Sequence, residues 1–141
     1  MPNHCCNTLI MSPATLPIIL KKYIRKNERG DKIFDFELVD PVGNVTDFLE
    51  RRRDKWGTKW IGYGLSIDDS TITFYTAWSP PIPVVRKLAE LHKDLAFCLE
   101  YYETGAAFRG MATAKWQGDG VLLDDTCWNM THDDFEELGL A

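Results

Sequence analysis

Apolar residues recur along this chain with two periods, and each change of period marks an element. Residues 4–11 are short, partly apolar and closed by Ser12-Pro13, which predicts a first strand followed by a helix start. Serine is a favoured N-cap and proline a favoured first helical residue. Leu16, Ile19, Leu20, Tyr23 and Ile24 then fall at i, i+3, i+4, i+7 and i+8, one stripe of an amphipathic helix. Lys21, Lys22, Arg25 and Lys26 load the last turns, where cations complement the helix dipole, so the predicted helix spans 13–26. From 33 to 39 the period becomes two: Phe34, Phe36 and Leu38 alternate with Asp35 and Glu37, as in a half-buried strand. Asp40-Pro41-Val42-Gly43-Asn44 breaks that strand, and Thr46 is placed to cap a short helix entering Arg51-Arg52-Arg53.

Residues 61–67 and 71–78 read as two strands joined by Asp68-Asp69-Ser70. Tyr63, Leu65 and Ile67 share a face in the first. Ile72, Phe74, Thr76 and Trp78 share one in the second, which places Trp78 in the core. Ser79-Pro80 opens a second helix with Ile82, Val85, Leu88 and Ala89 on its apolar side and His92 at its end. Residues 95–103 form another alternating strand that sends Tyr101 and Tyr102 to opposite faces. Gly105 marks a bend, 108–116 a further strand, and Gln117-Gly118-Asp119-Gly120 a turn into a short strand at 121–123. Thr131 with Asp134 three residues later is a capping-box pattern, opening a terminal helix through Phe135 and Leu138 that stops at Gly139.

This order predicts an α+β fold of the ferredoxin-like split βαβ kind, an antiparallel sheet with two helices on one face, plus an appended C-terminal β-hairpin and short helix. The chain reads as one domain, 1–141. Residues 1–110 form the core, with an insertion around 40–60, and 111–141 form a C-terminal extension. Met1-Pro2-Asn3 with Asn7, then Trp56-Gly57-Thr58-Lys59-Trp60, then Thr76-Ala77-Trp78-Ser79-Pro80-Pro81-Ile82-Pro83 resemble the YubB-type ferredoxin-like domain family. Tyr101-Tyr102-Glu103 with Gly105 and Phe108-Arg109-Gly110 add to the likeness. The resemblance covers about 1–11 and 56–110. It implies the fold and a setting in bacteriophages, plasmids and integrated elements, with no activity and no catalytic residues to carry over.

Composition narrows the function classes. Apolar content of 45% and charged content of 26% are those of a globular domain, and no apolar run is long enough to span a membrane. No signal peptide is legible at the N-terminus, so the expected location is the cytoplasm of a bacterial host. Cys5, Cys6, Cys98 and Cys127 carry no CxxC spacing and read as free, mostly buried thiols, with a zinc site at the termini as the remote alternative. No cofactor is implied. The net charge of −5 is divided unevenly: residues 1–60 carry a net +3 and residues 61–141 a net −8. That polarity argues against a general nucleic-acid binder, which wants a basic surface. It reads either as a solvated face or as a surface that docks on a basic partner.

No nucleophile triad, phosphate loop or metal array is present, so the chain is expected not to be an enzyme. Paired carboxylates such as Asp68-Asp69 splay apart on a regular element. The candidate partner-binding residues are therefore aromatic anchors, Trp56, Trp60 and Tyr102, with Trp56 and Trp60 reading also as plugs of the sandwich end, and the acidic second half: Glu100, Glu103, Asp119, Asp124, Asp125, Asp133, Asp134, Glu136 and Glu137. The leading expectation is a non-enzymatic phage or plasmid protein that docks on a host protein or ribonucleoprotein complex with a basic surface, in the manner of an anti-defence or anti-CRISPR inhibitor. A possible homodimer through an open sheet face is included. One alternative is a single-stranded nucleic-acid binder stacking bases on Tyr63, Phe74 or Tyr102, with Lys21, Lys22 and Arg51 to Arg53 on phosphates. A small enzyme at the sandwich end near Trp56 and Trp60 is the other.

Overall fold

The computed structural model describes residues 3–140. Strand β1 (His4–Ile10) leads into helix α1 (Leu16–Tyr23), a two-stranded ribbon of β2 (Ile24–Lys26) and β3 (Lys32–Phe34), and helix α2 (Phe48–Trp56). Then follow β4 (Tyr63–Ile67), β5 (Thr71–Ala77), α3 (Ile82–Leu91), β6 (Ala96–Glu103), β7 (Phe108–Gln117), β8 (Gly120–Asn129) and α4 (His132–Glu137). The main sheet has the order β4-β5-β1-β6-β7-β8, with every neighbouring pair antiparallel. Its first four members are the split βαβ arrangement: β1 lies between β5 and β6, with α1 and α3 as the crossovers. This is the expected ferredoxin-like fold.

Alternation along the strands decides which face is covered. Cys5, Asn7 and Leu9 of β1, Ile72, Phe74 and Thr76 of β5, and Phe97, Leu99 and Tyr101 of β6 are buried. They meet Leu16 and Ile19 of α1 and Val84, Val85 and Leu88 of α3 in one core. Each fully buried aliphatic side chain there contributes about 1.5–3 kcal/mol relative to exposure. The opposite face carries no helix over β4, β5 and β1.

The structure departs from the sequence expectations in several places, beginning with the helix starts: α1 and α3 have Thr15 and Pro81 at their N-caps, not Ser12 and Ser79. Helix α1 stops at Tyr23 because Ile24 is already extended and pairs with Phe34, so 24–26 become a ribbon strand. The strand expected over 33–39 ends at Phe34. Asp35 is only 4% exposed, and its carboxylate is engaged by Arg25 and by the Glu37 N–H at 3.1 Å, which winds 36–38 into a 3-10 turn. Inserted structure thus runs from Ile24 rather than from about 40. In β4 a bulge lies between Tyr63 and Ser66, where Gly64 has φ +63°. Tyr63 therefore pairs with Tyr75 on the open face while Ile67 pairs with Ile72 toward the core, so Tyr63 and Ile67 do not share a face. The last strand is ten residues, not three, and the 110/111 boundary falls inside β7. Finally, Trp78 is not core: it is 48% exposed. The terminal helix does begin at the Thr131–Asp134 capping box.

Candidate functional site

The register of the sheet aligns one row of side chains across the uncovered face. Tyr63 opposes Tyr75, Tyr75 opposes Cys6, Cys6 opposes Tyr102, Tyr102 opposes Arg109, and Arg109 opposes Trp128. Directly opposed residues of antiparallel strands share a face, so the row is continuous. At the β4 end, Trp60 packs edge-on to Tyr63 with ring centroids 6.3 Å apart, and the Lys59 ammonium lies 5.0 Å from the Trp60 ring. His4 sits between Tyr63 (5.6 Å) and Tyr75 (5.8 Å), with its Nδ1 hydrogen-bonded to the Tyr63 hydroxyl. At the other end the Arg109 guanidinium lies 5.5 Å from the Trp128 ring.

The centre of this row is uncharged at neutral pH. A hydrogen bond with Cys6, reinforced by burial, pushes the Tyr102 hydroxyl up to about 12. Burial raises the Cys6 thiol and the Tyr63 hydroxyl as well. Threonines 8 and 73 flank the row on the same face, followed by Glu100 and Met111. Asp124 shares the face one register step further on, opposite Thr113.

The candidate residues separate clearly. Trp56 is fully buried: its ring packs on Phe36 at 5.7 Å and its Nε1 donates to the Asp40 carbonyl at 2.8 Å. It is a core residue and not an interface anchor. Glu103 is 1% exposed and accepts from the Gly105 and Ala106 N–H groups at 2.6 and 2.7 Å, so it closes the β6–β7 turn and offers no docking charge. Asp125 points to the covered side, where it accepts from the Tyr101 hydroxyl at 2.8 Å. Asp134 completes the Thr131 capping box of α4 and, with Glu137, accepts from Arg109 Nη1 at 3.2 and 3.3 Å. The Thr131 N–H, then Thr131 and Arg109 side chains, hold the Asp134 carboxyl below its ordinary value. Glu136 pairs with His132 at 3.0 Å. Asp125, Glu136 and Glu137 stay exposed although they are bonded, and Trp60 (39% exposed), Tyr102, Glu100, Asp119, Asp124 and Asp133 are accessible as well.

Sequence reasoning missed His4, Cys6, Tyr75, Arg109 and Trp128, because face-sharing between distant strands is set by register. It also placed Phe74 among stacking residues; Phe74 is 1% exposed and faces the helices. The charge polarity has a spatial meaning. Arg51 to Arg53, Lys55 and Lys59 lie in or just after α2, which leads to the β4 edge. The carboxylates of β8 and α4 gather at the opposite edge. All four thiols are free, but only Cys5 is fully buried; burial pushes it up to about 12. Among the described residues no three His, Cys, Asp or Glu side chains converge as a metal site would require.

Together these features define a ferredoxin-like α+β domain with one helix-covered and one largely open sheet face. The family model for the ferredoxin-like domain in Api92-like proteins matches residues 55–140, and the chain belongs to that family. The match takes in everything from the end of α2 through α4, so the last hairpin and helix are inside the family domain. No curated protein and no solved structure matches the chain.

Proposed function

We propose that this protein is a non-enzymatic binding module whose open sheet face docks on a protein partner. One observation carries the reading: an aromatic row with an uncharged centre, with Trp60 39% and Tyr75 40% exposed, crosses a sheet face that no helix covers over β4, β5 and β1. Large aromatic side chains supply anchor energy at interfaces with little loss of rotamer freedom. Glu100 and Asp124 beside the row, and Asp119 and Asp133 at the β8 edge, favour a partner with a basic surface. The same carboxylates disfavour single-stranded nucleic acid on this face. Lys21, Lys22 and the Arg51 to Arg53 run lie on α1 and α2, so they are not placed to meet phosphates of a strand stacked on Tyr75 and Tyr102. The likeness to phage and plasmid domains supports a finer version, an inhibitor acting in a bacterial cytoplasm on a host defence complex such as a CRISPR effector.

The test is affinity purification from bacterial lysate at graded salt, with the wild type beside Tyr75→Ala/Tyr102→Ala and Glu100→Lys/Asp124→Lys variants. The reading expects one stoichiometric host complex, weakened by salt and lost in both variants. A complex retained by both, a homodimer that buries Tyr75, or capture of nucleic acid alone would refute it.

A further inference from the structure

Trp78 follows β5 at φ +72°, a region that bulky side chains rarely occupy. The Ser79 N–H donates back to the Ala77 carbonyl at 2.9 Å, so Trp78 is the central residue of a strained, positive-φ γ-turn. Strain of this kind persists only where the surroundings over-determine it. Here they do. The Trp78 N–H donates to the Asn3 carbonyl at 2.9 Å, and the Thr58 hydroxyl to the Ala77 carbonyl at 2.9 Å. The Thr76 hydroxyl donates to the Ser79 carbonyl at 2.7 Å, and the Ser79 hydroxyl to the Gly57 carbonyl at 2.5 Å. Asn7 Nδ2 in turn donates to Thr76 Oγ1 at 2.9 Å. All this fixes a turn whose indole is left 48% exposed, so the strain serves to present the ring and not to bury it.

The ring borders a cavity of about 380 Å3 lined also by Arg53, Lys59, Gly57, Thr58 and Ser79. Two cations and no carboxylate line it, in a protein of net charge −5. Pockets of this size hold small ligands. A nucleobase stacks on an aromatic ring such as indole, and Arg and Lys recognise phosphate. A phosphomonoester carries about −1.5 to −2 at neutral pH and matches both cations, whereas a single carboxylate leaves one unmatched.

We propose that this cavity binds a nucleotide 5′-phosphomonoester, with the base on Trp78 and the phosphate between Arg53 and Lys59. The ligand is either a free mononucleotide or the 5′-phosphorylated end of a strand. The site lies at the turn after β5; it shares Lys59 with the Trp60 end of the row but does not rest on the docking reading of the sheet face.

The experiment titrates the full chain at low salt with adenosine 5′-monophosphate, adenosine, inorganic phosphate and N-acetylphenylalanine, read by tryptophan fluorescence and calorimetry. The expected result is saturable, submillimolar binding of the monophosphate, with adenosine and phosphate each weaker by tenfold or more. Trp78→Gly relieves the positive φ, so it should keep or raise the melting temperature while losing binding. Arg53→Glu, on the surface of α2, should fold normally and lose binding at least tenfold; Trp78→Phe should retain it. A 5′-phosphorylated tetranucleotide binding more tightly than its 5′-hydroxyl form and than the monophosphate assigns the strand end. Equal binding of monophosphate and phosphorylated tetranucleotide assigns the free nucleotide. No saturation below about 10 mM, unchanged binding by Trp78→Gly, or tighter binding of N-acetylphenylalanine would each overturn the proposal.

Discussion

Replacing Asn7 by Asp is a one-atom change at the centre of the sheet, and the structure sets its cost. Asn7 is fully buried, and its Nδ2 donates to Thr76 Oγ1 at 2.9 Å and to the Cys5 carbonyl at 3.1 Å, with the Phe74 carbonyl at 3.4 Å. An aspartate oxygen in that position faces acceptors only, since the Thr76 hydroxyl hydrogen is committed to Ser79. The carboxyl therefore stays protonated and donates one bond, or ionises against carbonyl dipoles without a cation. Losing the second bond costs about 1 kcal/mol at any pH. Burial without a partner raises a carboxyl by several units; taking about 2–3 units gives about 3–4 kcal/mol of further loss once it ionises. With the folded value raised above the unfolded one, near 3.9, the native state holds the proton longer. The protonated-state stability is then fully present below the unfolded value and is lost as pH rises through the folded one. Urea unfolding of wild type and Asn7→Asp from about pH 4 to pH 8 should show a difference near 1 kcal/mol at the acid end, growing to about 4–5 kcal/mol. A gap that is flat with pH, or below about 0.5 kcal/mol throughout, would refute the assigned donor network.

Three further outcomes follow from the same geometry. A Cβ at Gly110 would lie 2.5 Å from the Thr126 carbonyl oxygen and against the Tyr101 hydroxyl, so Gly110→Ala should cost about 1–3 kcal/mol in chemical denaturation. His92 bonds the Tyr23 hydroxyl at 2.6 Å, and burial, with Lys22 nearby, lowers its value below 6.5. Its contribution to stability is present above the unfolded value and lost as pH falls through the folded one, a slope that His92→Gln should remove from the melting temperature. Helix α4 buries no residue and is held by its capping box and by Arg109, so acidification that protonates Asp134 should open it first. That contribution is present above the ordinary carboxyl value and lost below it, and hydrogen exchange at α4 amides should accelerate there and in Thr131→Ala.

Local rules carried much of the fold. Alternation of Phe97, Leu99 and Tyr101, the 3-to-4 spacing of Leu16, Ile19 and Tyr23, and the Thr131–Asp134 box each depend on neighbours within a few residues, so the order strand–helix–hairpin–helix–strand was legible from the chain alone. The opposed rings of Tyr101 and Tyr102 were legible for the same reason. Three things depended on distant partners. Capture of 24–26 by β3 overrode a good helical pattern, because strand pairing satisfies backbone groups that a fraying last turn leaves open. The Gly64 bulge sent Tyr63 to one face and Ile67 to the other, and only the cross-strand register turned Tyr63, Tyr75, Cys6, Tyr102, Arg109 and Trp128 into a row. The reversal came at Trp78, read as core, while Trp56 settled between the plug and anchor readings as a plug. Indole chemistry is the same at both positions, and an interface anchor and a core plug carry the same sequence signal. A γ-turn clamped by residues 3, 58, 76 and 79 put one ring in solvent, while Phe36 and the Asp40 carbonyl closed over the other. Hydrophobic period names which side chains share a face. Which face stays open is decided by where the helices pack and how the turns bend.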